Sequence, residues 1–181
     1  MRRKRFDAMV SLVGLGLSIF LFVAAGLLNW GYSFADNTVK SQLAAQNIYF
    51  PEKGSPGFDA ETFPDLQQYG GMQMTTGKQA QMYADHYIAE HLNKIAGGKT
   101  YSEVSTLSRA NPTDAALAGQ VQTLFRGESL RGTLLTAFAF WQLGQIAKFS
   151  SYAALIAGAL MLFMTILGYR HLRRTPEDAT I

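Results

Sequence analysis

Two uncharged apolar runs, one near each end of the chain, constrain the fold more than any other feature. The first covers residues 8–28 and the second covers residues 149–169. Each run of about 21 residues corresponds to about 31 Å of α-helix, which matches a bilayer hydrocarbon core of about 30 Å. The sequence therefore predicts two transmembrane helices, with the polar residues between them on one side of the bilayer.

The composition limits what the part between the runs can be. The mean hydropathy of +0.03 averages two apolar runs with a polar middle. This middle of about 110 residues is long enough to bury a small core. The chain has no cysteine, which excludes a disulfide framework, a thiolate metal site and a cysteine nucleophile. No cofactor is predicted from any residue pattern.

Basic residues stand at the outer end of each apolar run. They occupy positions 2–5 before the first run, and Arg170, Arg173 and Arg174 follow the second. The positive-inside rule assigns such short flanks to the cytoplasm. We therefore expect a plasma membrane protein with both termini cytoplasmic and residues 35–148 extracytoplasmic. Because both clusters adjoin an apolar run, the lipid bilayer rather than nucleic acid is their expected partner.

These features predict an all-α fold in which two transmembrane helices extend outward as a stalk and carry a small helical domain. The predicted segments are a basic N-terminus at 1–7, a first transmembrane helix at 8–34, the helical domain at 35–131, its outer extension at 132–148, a second transmembrane helix at 149–169 and a cytoplasmic tail at 170–181. Amphipathic side chains favour the headgroup level, and the predicted interfacial anchors are Trp30, Tyr32, Trp141, Lys148 and Tyr169.

Three alternatives to this topology are open from the sequence. The first run could be a cleaved signal peptide, since residues 33–35 offer small side chains for cleavage, but it exceeds a signal core of about 7–15 residues. The second crossing could begin near Leu134, which would put Lys148 inside the membrane at a cost of about 2.5–3.5 kcal/mol. A third crossing would put the C-terminal arginines outside, against the positive-inside rule.

The middle segment contains several predicted helices. Apolar residues recur at intervals of three and four over residues 78–96, which predicts one amphipathic helix. The helix that leaves the first apolar run is expected to continue through residues 35–46. A further helix is predicted to begin at Asn111-Pro112, with proline in its first turn. We expect Gly127 and Gly132 to bend the chain.

The segment from Pro51 to Gly77 is rich in glycine and proline, which is typical of turns and loops. It is too apolar for a free linker, so we predict an irregular loop held against the domain. Its apolar side chains could also cover a small ligand pocket. The residues concerned are Phe58, Phe63, Leu66, Tyr69, Met72 and Met74.

The residues from Gly97 to Glu103 are predicted to end one helix and start the next. Gly97 and Gly98 favour a left-handed helix stop, and Thr100 with Glu103 forms a capping box. The end of this segment also mimics a phosphate-binding loop. A helix precedes it rather than a strand, and Asn93 stands where that motif requires glycine. The structural interpretation, a helix cap, therefore explains the segment.

His86, Glu90 and His91 are candidate metal ligands on the predicted 78–96 helix. Zinc peptidases place two histidines four positions apart, so that both imidazoles share one helix face. Here the histidines are five positions apart and diverge. We therefore expect His91 to lie in the core and His86 to pair with Glu90 on the surface, with no metal site.

Small residues recur four apart inside both apolar runs. They are Gly14 and Ser18 in the first run, and Ala154 and Gly158 in the second. This spacing puts them on one helix face and permits close helix contact. The pattern is consistent with packing inside the chain, with a homodimer, or with the general abundance of small residues in membrane helices.

Four blocks of sequence stand out together. They are Ser41–Ala44 with Asn47-Ile48, then Tyr83-Ala84 leading to His91, then Ala96–Tyr101, and last Phe125-Arg126 to Ser129-Leu130. Over nearly the whole chain they resemble a set of small actinobacterial two-pass membrane proteins, many of which carry the name aromatic ring-opening dioxygenase. The resemblance implies a bacterial plasma membrane protein of unassigned role.

Ring opening of that kind would need an iron held by two histidines and a carboxylate. The chain has only His86, His91 and His171, and His171 is predicted to be cytoplasmic. No catalytic residue is therefore carried over from the resemblance, and three hypotheses follow. The first is a non-enzymatic accessory or interaction subunit of a membrane or envelope complex. The second is an extracytoplasmic domain that binds a small ligand, and the third is a dioxygenase-like enzyme.

Overall fold

The computed structural model describes residues 3–176 and residue 179, and the described chain is all-α as predicted. Two long helices dominate it, α1 (Arg3–Ala45) and α5 (Ala115–Arg174). Each contains a stretch long and apolar enough to cross a membrane, and only 17% of that stretch is buried. A core helix of a water-soluble protein would bury most of such a stretch. The exposed apolar surfaces therefore fit insertion into a membrane through two helices.

The chain divides into two compact units. The hairpin unit combines the residues up to Phe34 with those from Gly144 onward, and the central unit covers Ala35–Leu143. Within the central unit, the residues between the two long helices form a 3₁₀-helix (Pro64–Tyr69), α2 (Gly77–Met82), a π-helix (Tyr83–Ile88), α3 (Ala89–Ala96) and α4 (Tyr101–Ala110). One isolated antiparallel bridge, between Tyr49 and Gln73, accompanies them.

The two helices of the hairpin unit pack along what we call the interhelical seam. Its buried and half-buried residues alternate in steps of three and four on both helices, a seven-residue repeat typical of left-handed helix pairs. Small side chains prevail in the seam, which lets the helices approach closely. The seam residues are Asp7, Ser11, Gly14, Ser18, Leu21, Ala25 and Leu28 on α1, and Ser151, Ala154, Gly158, Met161, Thr165, Gly168 and Leu172 on α5.

The predicted amphipathic helix over 78–96 is confirmed as the continuous run of α2, the π-helix and α3. Five of its buried residues repeat every four positions: Ala80, Ala84, Ile88, Leu92 and Ala96. An α-helix has 3.6 residues per turn, so such a stripe would drift by about 40° at each step. The wider turn of the π-helix offsets this drift and keeps the stripe on the core.

The loop before this helix packs into the core through its aromatic side chains. The ring of Phe58 stacks on Phe63 with centroids 5.8 Å apart, and Tyr87 meets Phe58 edge-on at 5.7 Å. Phe50 contacts Tyr83 in the same way at 5.1 Å. The prediction of a pinned loop is confirmed, except for Met72. That side chain is 48% exposed.

The start of α5 was placed too early by the sequence. Asp114 accepts from the amides of Ala116 and Leu117 at 2.9 and 3.0 Å, so it caps a helix that begins at Ala115. Asn111 lies in the turn before this cap. α5 passes through Gly127 and Gly132 without a break, so neither glycine ends the helix.

Candidate functional site

An open groove lies in the central unit between residues 38–46 of α1 and residues 129–140 of α5, and we call it the stalk groove. It encloses about 720 Å³. The inner wall is apolar and buried, formed by Val39, Leu43 and Leu134. None of its lining residues is charged, which distinguishes it from the rest of the unit's surface.

The α5 wall of the stalk groove combines hydroxyl groups and one glycine with the apolar side chains of Leu134, Ala137 and Phe140. Thr133 Oγ1 donates to the carbonyl of Ser129 at 3.0 Å, and Thr136 Oγ1 donates to the carbonyl of Gly132 at 2.8 Å. Their hydrogens are therefore used, which leaves each hydroxyl oxygen as an acceptor only. A Cβ at Gly132 would meet no atom within 4 Å, so this glycine leaves the helix backbone open to a close approach.

Trp141 braces the central unit. Its indole N–H donates to Asp36 Oδ1 at 3.0 Å, and a Cβ on Gly77 would lie 2.6 Å from Trp141 Cγ. The tight approach is possible because Gly77 has no side chain. Trp141 was predicted as an interfacial anchor; the structure places it against α1 and α2 inside the central unit.

Arg131 ties α5 to the π-helix. Its Nε donates to the carbonyl of Ala84 at 3.0 Å, and its Nη2 lies 3.4 Å from Asp85 Oδ1. Its Nη1 also pairs with Glu128 at 2.9 Å. A π-helix is rare and often marks a functional segment, and sequence reasoning missed both it and the arginine that holds it.

The candidate metal ligands do not converge. His91 is half-buried, with Nδ1 2.8 Å from the carbonyl of Tyr87 and its ring stacked on Phe63 at 5.8 Å. His86 is exposed, and Glu90 pairs with Lys94 at 3.3 Å rather than with His86. The described residues contain no group of three or more histidine, aspartate or glutamate side chains that could hold a metal ion. They therefore do not supply the two-histidine, one-carboxylate set of a ring-opening iron site.

A polar cavity of about 360 Å³ lies beside the loop, and Asp65, Asp85, His86, Glu90 and Phe63 are among the residues that line it. Of the loop side chains that were expected to cover a ligand, Phe58, Phe63, Leu66 and Met74 are buried in the core. Tyr83 belongs to that core, and burial raises the pKa of its phenol to about 12.

The residues of the predicted cap adopt the expected geometry. Gly97 and Gly98 have φ of 59° and 78°, in the left-handed region. Thr100 Oγ1 accepts from the amide of Glu103, and Glu103 Oε2 accepts from the amide of Thr100 at 2.7 Å. The hydrogen bonds from Thr100 hold the pKa of Glu103 below its ordinary value. A second capping box, between Thr76 and Gln79, starts α2; the sequence signal of Thr followed by Gln at the third position was available.

Four of the predicted anchors lie in the hairpin unit, where two of them contact each other and two are exposed. Lys148 Nζ lies 4.8 Å from the ring centroid of Tyr32, a cation–π contact between the two helices. Trp30 is 66% exposed and stacks on Phe34, and Tyr169 is also exposed. Their membrane-anchoring role stays a prediction.

The four small residues singled out in the apolar runs all lie in the interhelical seam. A Cβ on Gly14 would stand 2.6 Å from Thr165 Oγ1, and one on Gly158 would stand 3.2 Å from Phe22 Cε1. Ser18 is fully buried and Ala154 half-buried. The face that carries these residues therefore contacts the other helix of the same chain.

Comparison with protein-family models, with curated proteins and with solved structures returned no match to this chain.

Proposed function

We propose that this chain is a non-enzymatic two-pass membrane protein whose central unit binds another protein of a membrane or envelope complex. In this proposal both termini are cytoplasmic and the central unit faces outward. The basic flanks of the two apolar runs support this orientation through the positive-inside rule. Reporters fused at residues 2, 90 and 181 test it, and a cytoplasmic signal at residue 90 would contradict it.

The stalk groove is the observation that carries the binding proposal. It is uncharged, it is walled by two helices, and five of the seven α5 residues that line it have small or hydroxyl side chains, the other two being Leu134 and Phe140. Small residues permit close approach of a further helix, and hydroxyl groups supply hydrogen bonds across such an interface. No packing contact inside the chain requires a glycine at position 132, since a Cβ there would meet no atom within 4 Å. The groove therefore suits a helical segment of a partner.

Exposed aromatic side chains add a second surface of the central unit. Tyr101 and Phe125 lie with ring centroids 6.0 Å apart, 38% and 55% exposed, and Leu107 of α4 is also exposed. Aromatic side chains are enriched at protein interfaces because they offer a large contact area at low entropic cost. This cluster favours protein binding over a purely solvated domain.

The test is site-specific photocrosslinking of the full chain in intact cells. A crosslinker at Thr136 inside the stalk groove should give a discrete adduct with another protein, and one at the exposed Glu61 of the loop should not. Adding Gly132→Leu should abolish the Thr136 adduct, because the leucine would block close approach. If Thr136 gives no adduct, or if Glu61 gives the same one, the groove does not bind the partner.

A small ligand is the second candidate occupant, because a groove of about 720 Å³ lies within the usual range for ligand sites of about 300–1,000 Å³. An apolar compound should then raise the thermal midpoint of the full chain in detergent. Gly132→Leu should remove that shift. A screen without any stabilising compound would leave the protein-binding proposal alone.

A further inference from the structure

The hairpin unit joins two basic clusters that lie at opposite ends of the sequence. The cations are Arg3, Lys4 and Arg5 in the first turn of α1, and Arg170, Arg173 and Arg174 in the last turns of α5. The antiparallel packing brings these helix ends together, since His171 Nε2 lies 3.9 Å from Asp7 Oδ2. Six cationic side chains therefore share one end of a single helix pair.

Among the described residues at this end, six Lys and Arg side chains stand against one acidic side chain. Asp7 is the only acid among the described residues at this end, and its carboxylate lies 4.0 Å from Arg3 Nε and 3.9 Å from His171 Nε2. Its carboxylate is therefore paired with side chains of the two helices. Arg5, Arg170 and the two later arginines are exposed. The tail adds Glu177 and Asp178, which lie outside the described residues.

We propose that this joined basic surface binds the phosphate groups of anionic membrane lipids. The apolar run of α1 begins at residue 8 and that of α5 ends at residue 169, so the cations stand where each helix enters the headgroup layer. Guanidinium groups match phosphate oxygens in a bidentate geometry. Anionic headgroups attract each nearby cation, and the attraction falls off within about 8 Å in physiological salt.

Two ordinary roles of such residues do not require this convergence. Cations near a helix C-terminus offset the helix dipole, and cations beside an apolar run orient its insertion. Either role would be served by two separate clusters. The contact between Asp7 and His171 instead makes the clusters one surface, which predicts a shared lipid site. The inference rests on insertion of the hairpin unit in a membrane, but not on which side its ends face.

The experiment is native mass spectrometry of the detergent-solubilised full chain, titrated with phosphatidylglycerol or phosphatidylcholine of the same acyl chains. The wild type should retain phosphatidylglycerol in preference, less so as salt is raised. Replacing Arg170, Arg173 and Arg174 together by Gln should weaken retention at least tenfold, because each surface cation contributes about fivefold. Replacing the same three by Lys should preserve much of it, since the charge remains.

A matched control removes three exposed cations from the central unit, Lys99, Arg109 and Arg126, and should leave retention unchanged. Replacing Arg3 and Arg5 by Gln should weaken the tightest phosphatidylglycerol adduct. The triple α5 variant should weaken the same adduct, because one shared site would bind that lipid. Equal retention of both lipids, or an equal loss in the control, would overturn the proposal. So would tighter binding of an oligonucleotide than of phosphatidylglycerol. Crosslinking at Thr136 tests protein binding by the central unit, whereas lipid retention tests the hairpin unit. The protein-binding proposal and the lipid-binding proposal can therefore fail independently.

Discussion

The indole N–H of Trp141 donates to Asp36 Oδ1 over 3.0 Å, and so joins α5 to α1 across 105 positions of sequence. The bond is half-buried, and its donor packs against α2 at Gly77. A single side chain therefore ties three elements of the central unit together.

We expect Trp141→Phe to destabilise the full chain by about 1–3 kcal/mol, because Asp36 would lose its donor and remain partly buried. The midpoint of thermal unfolding in mild detergent measures this. Trp30→Phe is the control, since Trp30 is largely exposed. In a double-mutant cycle with Asp36→Ala the two losses should not add; additive losses would show that the hydrogen bond contributes nothing.

Gly77→Ala and Gly132→Ala should have opposite effects on stability. The added methyl at Gly77 would stand 2.6 Å from Trp141 Cγ, and such overpacking costs about 1–3 kcal/mol. The methyl at Gly132 meets nothing within 4 Å, and alanine in a helix interior is favoured over glycine by about 1 kcal/mol. Thermal unfolding of the two variants in one detergent compares them, and a destabilised Gly132→Ala would contradict the open wall of the stalk groove.

A similar pair tests the interhelical seam. Gly14→Leu should lower the unfolding midpoint, because Thr165 Oγ1 would lie 2.6 Å from the new Cβ. Gly16→Leu, two residues away, meets open space and should leave the midpoint unchanged or higher. If both variants were equally stable, α1 and α5 would not pack through the face that contains Gly14.

The capping box predicts a loss of stability in acid. Hydrogen bonds lower the pKa of Glu103 and, through the amide of Thr62, that of Asp59. A carboxyl with a lower pKa in the folded than in the unfolded state stabilises the fold above its unfolded pKa, and this contribution is lost as the pH falls through the folded value. Between pH 7 and pH 3, Glu103→Gln should therefore lose less stability than the wild type. Identical pH profiles would mean that the cap does not persist in solution.

Tyr83 predicts a loss of stability in base. Burial raises its pKa from 10.0 to about 12, so its contribution is fully present below pH 10 and disappears as the pH rises toward 12. Tyr83→Phe should flatten this alkaline decline in a plot of unfolding midpoint against pH. Tyr49→Phe, at an exposed tyrosine, should not flatten it.

Sequence reasoning found the long elements because their signals are local. The apolar runs, the 78–96 stripe and the Thr100–Glu103 cap each depend on residues a few positions apart, and each is present. The start of α5 was misplaced because proline at a first turn and aspartate at an N-cap are rival signals, and here Asp114 sets the boundary.

Features that depend on distant residues were missed. Nothing near Arg131 in the sequence indicates Ala84 as its partner, and nothing near Trp141 indicates Asp36. The π-helix did leave a local trace, the strict spacing of four from Ala80 to Ala96, which an undistorted α-helix cannot keep on one face. The repeat of the interhelical seam is also present in the sequence. The spacing of four between small residues shows only part of it, because the full pattern alternates steps of three and four.

Because the pattern repeats every seven residues, apolar contact alone does not fix the register of α1 along α5. A pair that recurs every seven residues could slip by one repeat and again place small side chains opposite small ones. Glycines facing larger groups forbid the slip: Gly14 opposite Thr165, Gly158 opposite Phe22 and Gly168 opposite Ser11. Each of these contacts fits only one register, so deleting one residue between Gly14 and Phe22 should prevent the three contacts from forming together.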